Sequence, residues 1–426
     1  MSELRNVSRI RAEGVLDEFS YDIRYGGSDD AGRIRVIYAP NGRGKTNFIK
    51  AVSYLLTPSL ESLQALIEVP IRKLTVEFEG GGSVGIARQA AFAGSFTATA
   101  NLPLESGEKH TLAIEPSDFA GRLYRRVWDE RQDFNQYVEA ATALTTGAAL
   151  IGDDRLALSV DETRESIRGD AVYGSPRRKG PGSVGRLLDR VERMLSQSAF
   201  AGLARETAAA GVYAQITRTT LAGSKNLTST SARLALESKI ADLIRAGAAY
   251  EPYGLLSLRQ LRDISSQLTE ARQNSGQLPT LHRILNPYLD SVQDQVESLA
   301  PALQLIDTFV TGVNNFLDRK ELRFSTAHGI SLVGGGDGVR LQPDVLSSGE
   351  RHLLYLMSHA ILATADRPLL VIDEPELSLG IDWQRNLLPE LLRCTASAGV
   401  QFLVASHSLQ VMNAVPRRDI VLPGED

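Results

Sequence analysis

The sequence predicts an α/β fold with a mixed or parallel sheet, divided along the chain by a large, mostly α-helical insertion. Three observations predict it. Two short segments, LLVID at 369–373 and QFLVAS at 401–406, are almost wholly apolar, as strands covered on both faces by helices must be. The apolar run IRVIY at 34–38 meets a glycine-rich turn and then a helical pattern. From about Pro116 to Lys320 the periodicity changes to apolar residues three or four apart. The resulting partition is 1–115, an N-terminal lobe; 116–320, a helical insertion; and 321–426, a C-terminal lobe.

Taken in order, FSYDIRY alternates polar and apolar residues and reads as a strand, as does IRVIY. A helix is expected from Lys45 to about Leu56. RKLTVEFE and SVGIAR are strands on either side of the glycine turn at 80–82. Within the insertion, Leu188, Val191 and Leu195 form one helical stripe, and Leu261, Ile264 and Leu268 another. Val292, Val296, Leu299, Leu303 and Ile306 form a third, and all three are expected to be packing faces. Strand signals return at LRFST, GISLVG and GVRLQ, with GGGD as a tight turn, before helix and buried strand alternate to the end.

Composition bounds the rest. A chain of 426 residues with 43% hydrophobic and 23% charged residues belongs with globular proteins rather than disordered or fibrous ones. No stretch is apolar for long enough to span a bilayer, and MSELRNVSRIRAEG lacks the core of a secretion signal, so the expectation is a cytoplasmic protein with no membrane partner. The lone Cys394 lies in the apolar helix LLPELLRC and reads as a small buried hydrophobe. A net charge of −5 argues against a surface coated in positive charge.

The segment APNGRGKT, Ala39, Pro40, Asn41, Gly42, Arg43, Gly44, Lys45 and Thr46, matches GxxxxGK(S/T) except that Ala39 stands at the first glycine. It lies between a strand and a helix, the context in which such a loop cradles phosphates with its amides. Lys45 is placed to reach the outer phosphates of ATP, and the Thr46 hydroxyl to ligate Mg²⁺. In VIDEPELSLG an apolar strand delivers Asp373 and Glu374 at its C-terminal tip, the edge where open parallel sheets bind ligands. Asp373 suits the Mg²⁺ shell, and Glu374 suits a general base acting on water.

With these two motifs in place, LSSGERHLL at 346–354 resembles the ABC signature, with Glu350 in place of the usual glutamine. ELSLGIDWQ resembles the D-loop, and ASHS places His407 where that family has its switch histidine. The resemblance covers roughly the first 90 and last 105 residues. It implies a P-loop NTPase head of ABC type that hydrolyses ATP as a head-to-tail dimer or higher homo-oligomer. Ser347, Ser348, Gly349 and Glu350 of one copy would then cap the phosphate held by the other. It also implies a glutamine that couples the metal to the insertion, for which Gln89, just after SVGIAR, is the candidate.

The long insertion resembles the RecF, SMC and OLD-like branch. Within it, VNNFLDRKELRF, LSSGERHLLYL and DEPELSLGIDWQ look most like the AAA-type ATPases of bacterial anti-phage systems such as PARIS or Septu. That likeness implies a sensor or regulator of a separate effector, a nuclease or toxin, because no Toprim nuclease domain follows His407. The alternative is a RecF- or SMC-like ATPase that clamps DNA. Arg177, Arg178 and Lys179 in GSPRRKGPGS are compatible with a phosphate backbone but read better as a solvated connection. Arg125 and Arg126 beside Trp128 are balanced by the acids at 129 and 130, so they are not read as a DNA site. The six histidines do not cluster with the cysteine at metal-ligand spacing, which leaves Mg²⁺ as the implied metal.

Overall fold

The computed structural model describes residues 6–26, 30–89, 93–103, 107–120, 124–152, 183–204, 228–270, 277–336, 338–366 and 368–425. In chain order, β1 (Val7–Val15) and β2 (Phe19–Arg24) form a hairpin that precedes β3 (Ile34–Tyr38). Then come α1 (Lys45–Leu56), α2 (Leu60–Glu68), β4 (Ile71–Phe78), β5 (Ser83–Ala87), β6 (Phe96–Asn101) and β7 (Lys109–Ile114). They are followed by α3 (Tyr124–Asp129), α4 (Gln132–Leu144) and β8 (Ala148–Ile151). The helices α5 (Ser183–Ala204), α6 (Ser229–Gly247), α7 (Arg259–Glu270) and α8 (Leu278–Asn314) come next, and then β9 (Lys320–Ser325), β10 (Gly329–Gly334) and β11 (Arg340–Leu341). The chain ends through α9 (Ser348–Asp366), β12 (Leu369–Asp373), α10 (Ile381–Cys394), β13 (Phe402–Ser406), α11 (Leu409–Asn413), β14 (Ile420–Val421) and β15 (Gly424–Glu425).

Residues 1–183 and 346–426 form one compact unit, and 184–345 form a second. The first unit holds two sheets of different character. A seven-stranded antiparallel sheet runs β15-β2-β1-β4-β5-β6-β7, and a five-stranded parallel sheet runs β14-β3-β13-β12-β8. One apolar cluster draws on both: Ile10, Tyr21 and Leu74 from the first, Val371 and Leu403 from the second, and Phe48, Val52 and Leu55 from α1. The helix α1 is buried along Phe48, Ile49, Val52, Leu55 and Leu56, the three-and-four spacing that gives a helix one apolar face. Two polar ties supplement this core. The Gln401 amide pairs with both backbone groups of Val7, at 2.7 and 2.9 Å, as a neighbouring strand would. Arg35 on β3 pairs with the buried Asp419 at 2.8 Å.

In the second unit, α5 to α8 accompany a three-stranded sheet, β11-β10-β9, whose hairpin turns at Gly329 with φ of 66°. The Asn314 side chain pairs with both backbone groups of Leu322, at 2.9 and 2.7 Å, and so ties the end of α8 to β9. Among the described residues no helix is long and apolar enough to cross a membrane.

The α/β expectation holds, and α1 occupies the expected residues. The sequence reading names neither β6 and β7, which extend the antiparallel sheet, nor β8, which lies inside the stretch read as helical, nor the short β14 and β15. The compact units divide at 183 and 345. β8 takes the edge of the parallel sheet beside β12, and β9–β11 pair among themselves.

Candidate functional site

The parallel sheet brings the C-terminal ends of β3, β12 and β13 to one edge, with Asp373 opposite Ala405 and Ser406 opposite Tyr38 in register. At the end of β3 the chain passes through Ala39, which is buried, and the exposed Pro40, Asn41 and Gly42. Gly42 and Gly44 both take left-handed conformations, at φ of 86° and 74°. Gly44 is required twice over. Its φ disfavours any side chain, and a Cβ there would sit 2.6 Å from Val15 Cγ1. The antiparallel sheet supports the loop from beneath. The Tyr21 hydroxyl donates to the Arg43 carbonyl at 2.7 Å, and the Tyr21 ring stacks on Phe48 at 4.5 Å. The Arg43 guanidinium lies 4.9 Å over the Phe19 ring. Burial pushes the Tyr21 hydroxyl pKa up to about 12, so it remains a donor at any ordinary pH.

Lys45 begins α1, is 7% exposed, and donates to the carbonyls of Ala39 at 2.6 Å and Pro40 at 3.2 Å. Its ammonium is thus held inside its own loop. Thr46 lies beside Asp373, whose carboxyl is raised above the usual carboxylate range. The causes, largest first, are burial and then the adjacent Glu374 charge, opposed by Thr46, Lys50 and Lys45. Asp373 Oδ1 is buried without a hydrogen-bond partner. An orphaned carboxylate oxygen next to a hydroxyl is a hard-oxygen donor pair, and it fits Mg²⁺, which binds one or two protein oxygens and keeps several waters.

Glu374 adopts a left-handed backbone, φ 50°, uncommon for a residue with a side chain, while its amide donates to Ala405 O at 2.8 Å. That left-handed residue ends the strand immediately after Asp373. The imidazole Nδ1 of His407, in the loop after β13, lies 3.4 Å from Glu374 Oε1 and 3.4 Å from Glu376 Oε1. Glu376 is a site residue that the sequence reading missed. Its only sequence signal is a third acid two positions beyond Glu374.

The segment 347–350 is shaped by a capping box at the start of α9. The Ser347 amide donates to Glu350 Oε2 at 2.7 Å, and the Glu350 amide donates to Ser347 Oγ at 3.2 Å. Glu350, expected as part of an anion-capping motif, is therefore buried and committed to its own helix, whereas Ser347 and Ser348 are exposed. Gly349 packs so closely on the turn after the acids that a Cβ would lie 2.7 Å from Ser378 O. His352 meets the Pro375 carbonyl at 3.2 Å. Hence α9 is fastened to the turn that carries Glu374 and Glu376.

Gln89 is exposed just beyond β5, and among the described contacts none joins it to Thr46 or Asp373. Its neighbour Arg88 is buried and donates to the carbonyls of Ile71, Gly94, Leu66 and Val69. Burial lowers the Arg88 guanidinium pKa to about 10. Trp128 is 1% exposed and packs with Phe119 and Phe134, while Arg125 and Arg126 pair with Glu61 and Glu130. Arg177, Arg178 and Lys179 lie outside the described residues.

Residues 246–413 match a family model described as AAA domain, putative AbiEii toxin, Type IV TA system. The Retron Ec83 probable ATPase of Escherichia coli is 24% identical over 175 residues, a match that takes in 39% of this chain and 30% of that relative. Among solved structures, the chain is similar to the Smc head domain with an extended coiled coil, bound to the C-terminal domain of ScpA, from Pyrococcus furiosus. That superposition has a TM-score of 0.42 and 10% identity, over 99% of this chain and 96% of the other. The SMC head domain from Thermotoga maritima gives a TM-score of 0.35 and 12% identity, over 99% of each chain.

Proposed function

We propose that this chain binds Mg-ATP on Ala39 to Thr46 and hydrolyses it as an ABC-type ATPase, two copies pairing head to tail. The observation that carries the reading is the meeting of Thr46, Lys45 and a buried, partly orphaned Asp373 at the C-terminal edge of the parallel sheet, with Glu374 and His407 3.4 Å apart beside them. Bound Mg²⁺ would neutralise phosphate charge, with Thr46 and Asp373 as its protein ligands. Lys45, now resting on two loop carbonyls, would exchange them for phosphate oxygens at little reorganisation cost. Glu374, with its carboxylate beside His407, would orient and deprotonate the attacking water. His407 would donate to the transferred phosphoryl group. The exposed Ser347 and Ser348, at the N-terminus of α9, would offer a second copy's phosphate an anion receptor.

The same proposal assigns the nucleotide head to both ends of the chain and partner contact to the helices between them. The toxin-system family description and the retron relative support a role as sensor or regulator of a separate effector in bacterial anti-phage defence, as in PARIS or Septu. A DNA-clamping role has less support, since Trp128 is buried and Arg125 and Arg126 are paired with acids.

Phosphate release from Mg-ATP tests the reading. Lys45→Ala should lose nucleotide binding. Glu374→Gln should bind ATP yet turn over at least about 100-fold more slowly, the usual scale for removing a general base. Unchanged turnover in both variants, or none in the unmodified protein, would reject the assignment.

A further inference from the structure

We propose that Glu376 is a positioning residue for His407, fixing which ring nitrogen faces the acids and which faces the phosphate. Its side chain is 5% exposed, and one oxygen, Oε1, gathers every contact. The Ser406 hydroxyl donates to it at 2.8 Å, the His407 amide at 3.0 Å and the Ser408 amide at 3.1 Å. His407 Nδ1 lies 3.4 Å away, while Oε2 is buried without a hydrogen bond. A tie between two loops does not need this. An amide would accept the same three bonds without burying a charge, and burying a carboxylate oxygen unpaired costs stability. What the carboxylate adds is negative charge facing Nδ1, reinforced by Glu374 Oε1 at the same distance.

An imidazole nitrogen facing two carboxylates carries the proton, so Nδ1 is the donor on that side and Nε2 is directed to the other, where the ring is 44% exposed. Ser408 braces the same loop from beyond, donating to Gln384 at 2.7 Å. The turn after the acidic pair and the loop after β13 are therefore tied together through Glu376 Oε1, with His407 beside Glu374.

The consequence for turnover rests on the ATPase reading, but the tautomer does not, so the test has two arms. In the first, ring ¹⁵N shifts are recorded on the full chain with labelled histidine, and His407 is assigned through His407→Ala. The unmodified protein should show the Nδ1–H form. Glu376→Gln should shift His407 to a mixture of tautomers without lowering the melting temperature, and Ser406→Ala should leave the Nδ1–H form in place. In the second arm, Glu376→Gln should lower kcat about 10-fold or more with KM within about twofold, the range for a group acting through its neighbour. In a His407→Ala background it should add nothing further. An unchanged Nδ1–H signal in Glu376→Gln, or an effect on kcat that multiplies with that of His407→Ala, would overturn the proposal. If the unmodified chain hydrolyses no ATP, the ATPase reading falls and the ring shifts alone decide this one.

Discussion

The conformation of the loop Ala39 to Thr46 is tested most sharply by comparing Gly44→Ala with Gly42→Ala. Both glycines sit at positive φ, 74° and 86°, so each alanine should cost about 1–2 kcal/mol for entering the left-handed region. Their surroundings differ. A Cβ at Gly42 has nothing within 4 Å, whereas one at Gly44 meets Val15 Cγ1 at 2.6 Å and two Leu16 side-chain atoms at 3.4 Å. Val15, the last residue of β1, is fully buried in the core, so overpacking should add about 1–3 kcal/mol. The expected totals are about 2–5 kcal/mol for Gly44→Ala and about 1–2 kcal/mol for Gly42→Ala. Urea unfolding followed by tryptophan fluorescence reads the correct unit, because both tryptophans, Trp128 and Trp383, belong to residues 1–183 and 346–426. Equal midpoints for the two variants would refute the packing argument. A deficit at Gly44 together with a changed slope would mean that the unfolded state had changed instead.

Other expectations follow from the same contacts. Arg35→Ala leaves Asp419 buried and uncompensated, so unfolding measurements should show a loss of about 3–5 kcal/mol, while Asp419→Asn in that background should recover part of it. Gln401→Leu removes the two-point tie to Val7 and should cost about 1–3 kcal/mol, read by the same fluorescence. Burial pushes the Cys394 thiol up to about 12, so the native protein should resist a thiol reagent at pH 8 and react only on unfolding. Because the unfolded thiol ionises near roughly 8.5 and the folded one near 12, the native state holds the extra proton between them. Stability should therefore fall as pH rises through that window, and Cys394→Ala should remove this component of the slope.

What the sequence discloses and what it withholds divide along physical lines. The strand IRVIY, the glycines at positive φ and the helix from Lys45 to Leu56 are local: backbone sterics and an apolar face specify them within a few turns of chain. The buried strands β12 and β13 were legible for the same reason. β8 was not, because AALI is four residues long and becomes a strand only by pairing with β12, far along the chain. β6 and β7, FTATAN and KHTLAI, carry small or polar residues at most positions, so their apolar signal is weak until they pair at the edge of the antiparallel sheet. At the site, Asp373 and Glu374 could be placed from the tip of an apolar strand. The role of Glu376 arises only when the turn after them folds against the loop after β13. Ser347 and Glu350 are legible differently: S-x-x-E spells a capping box in the sequence, and the structure forms it.

Mixing two inactive variants tests the claim that one ATP is shared between two chains. Lys45→Ala keeps its signature segment and loses its phosphate loop, while Ser348→Arg, at an exposed position, does the reverse. In a head-to-tail pair the mixed dimer rebuilds one complete site, so equal mixing should restore about a quarter of the unmodified rate of phosphate release. A mixture as inactive as its components, or a Ser348→Arg protein at full activity alone, would contradict a site built from two chains.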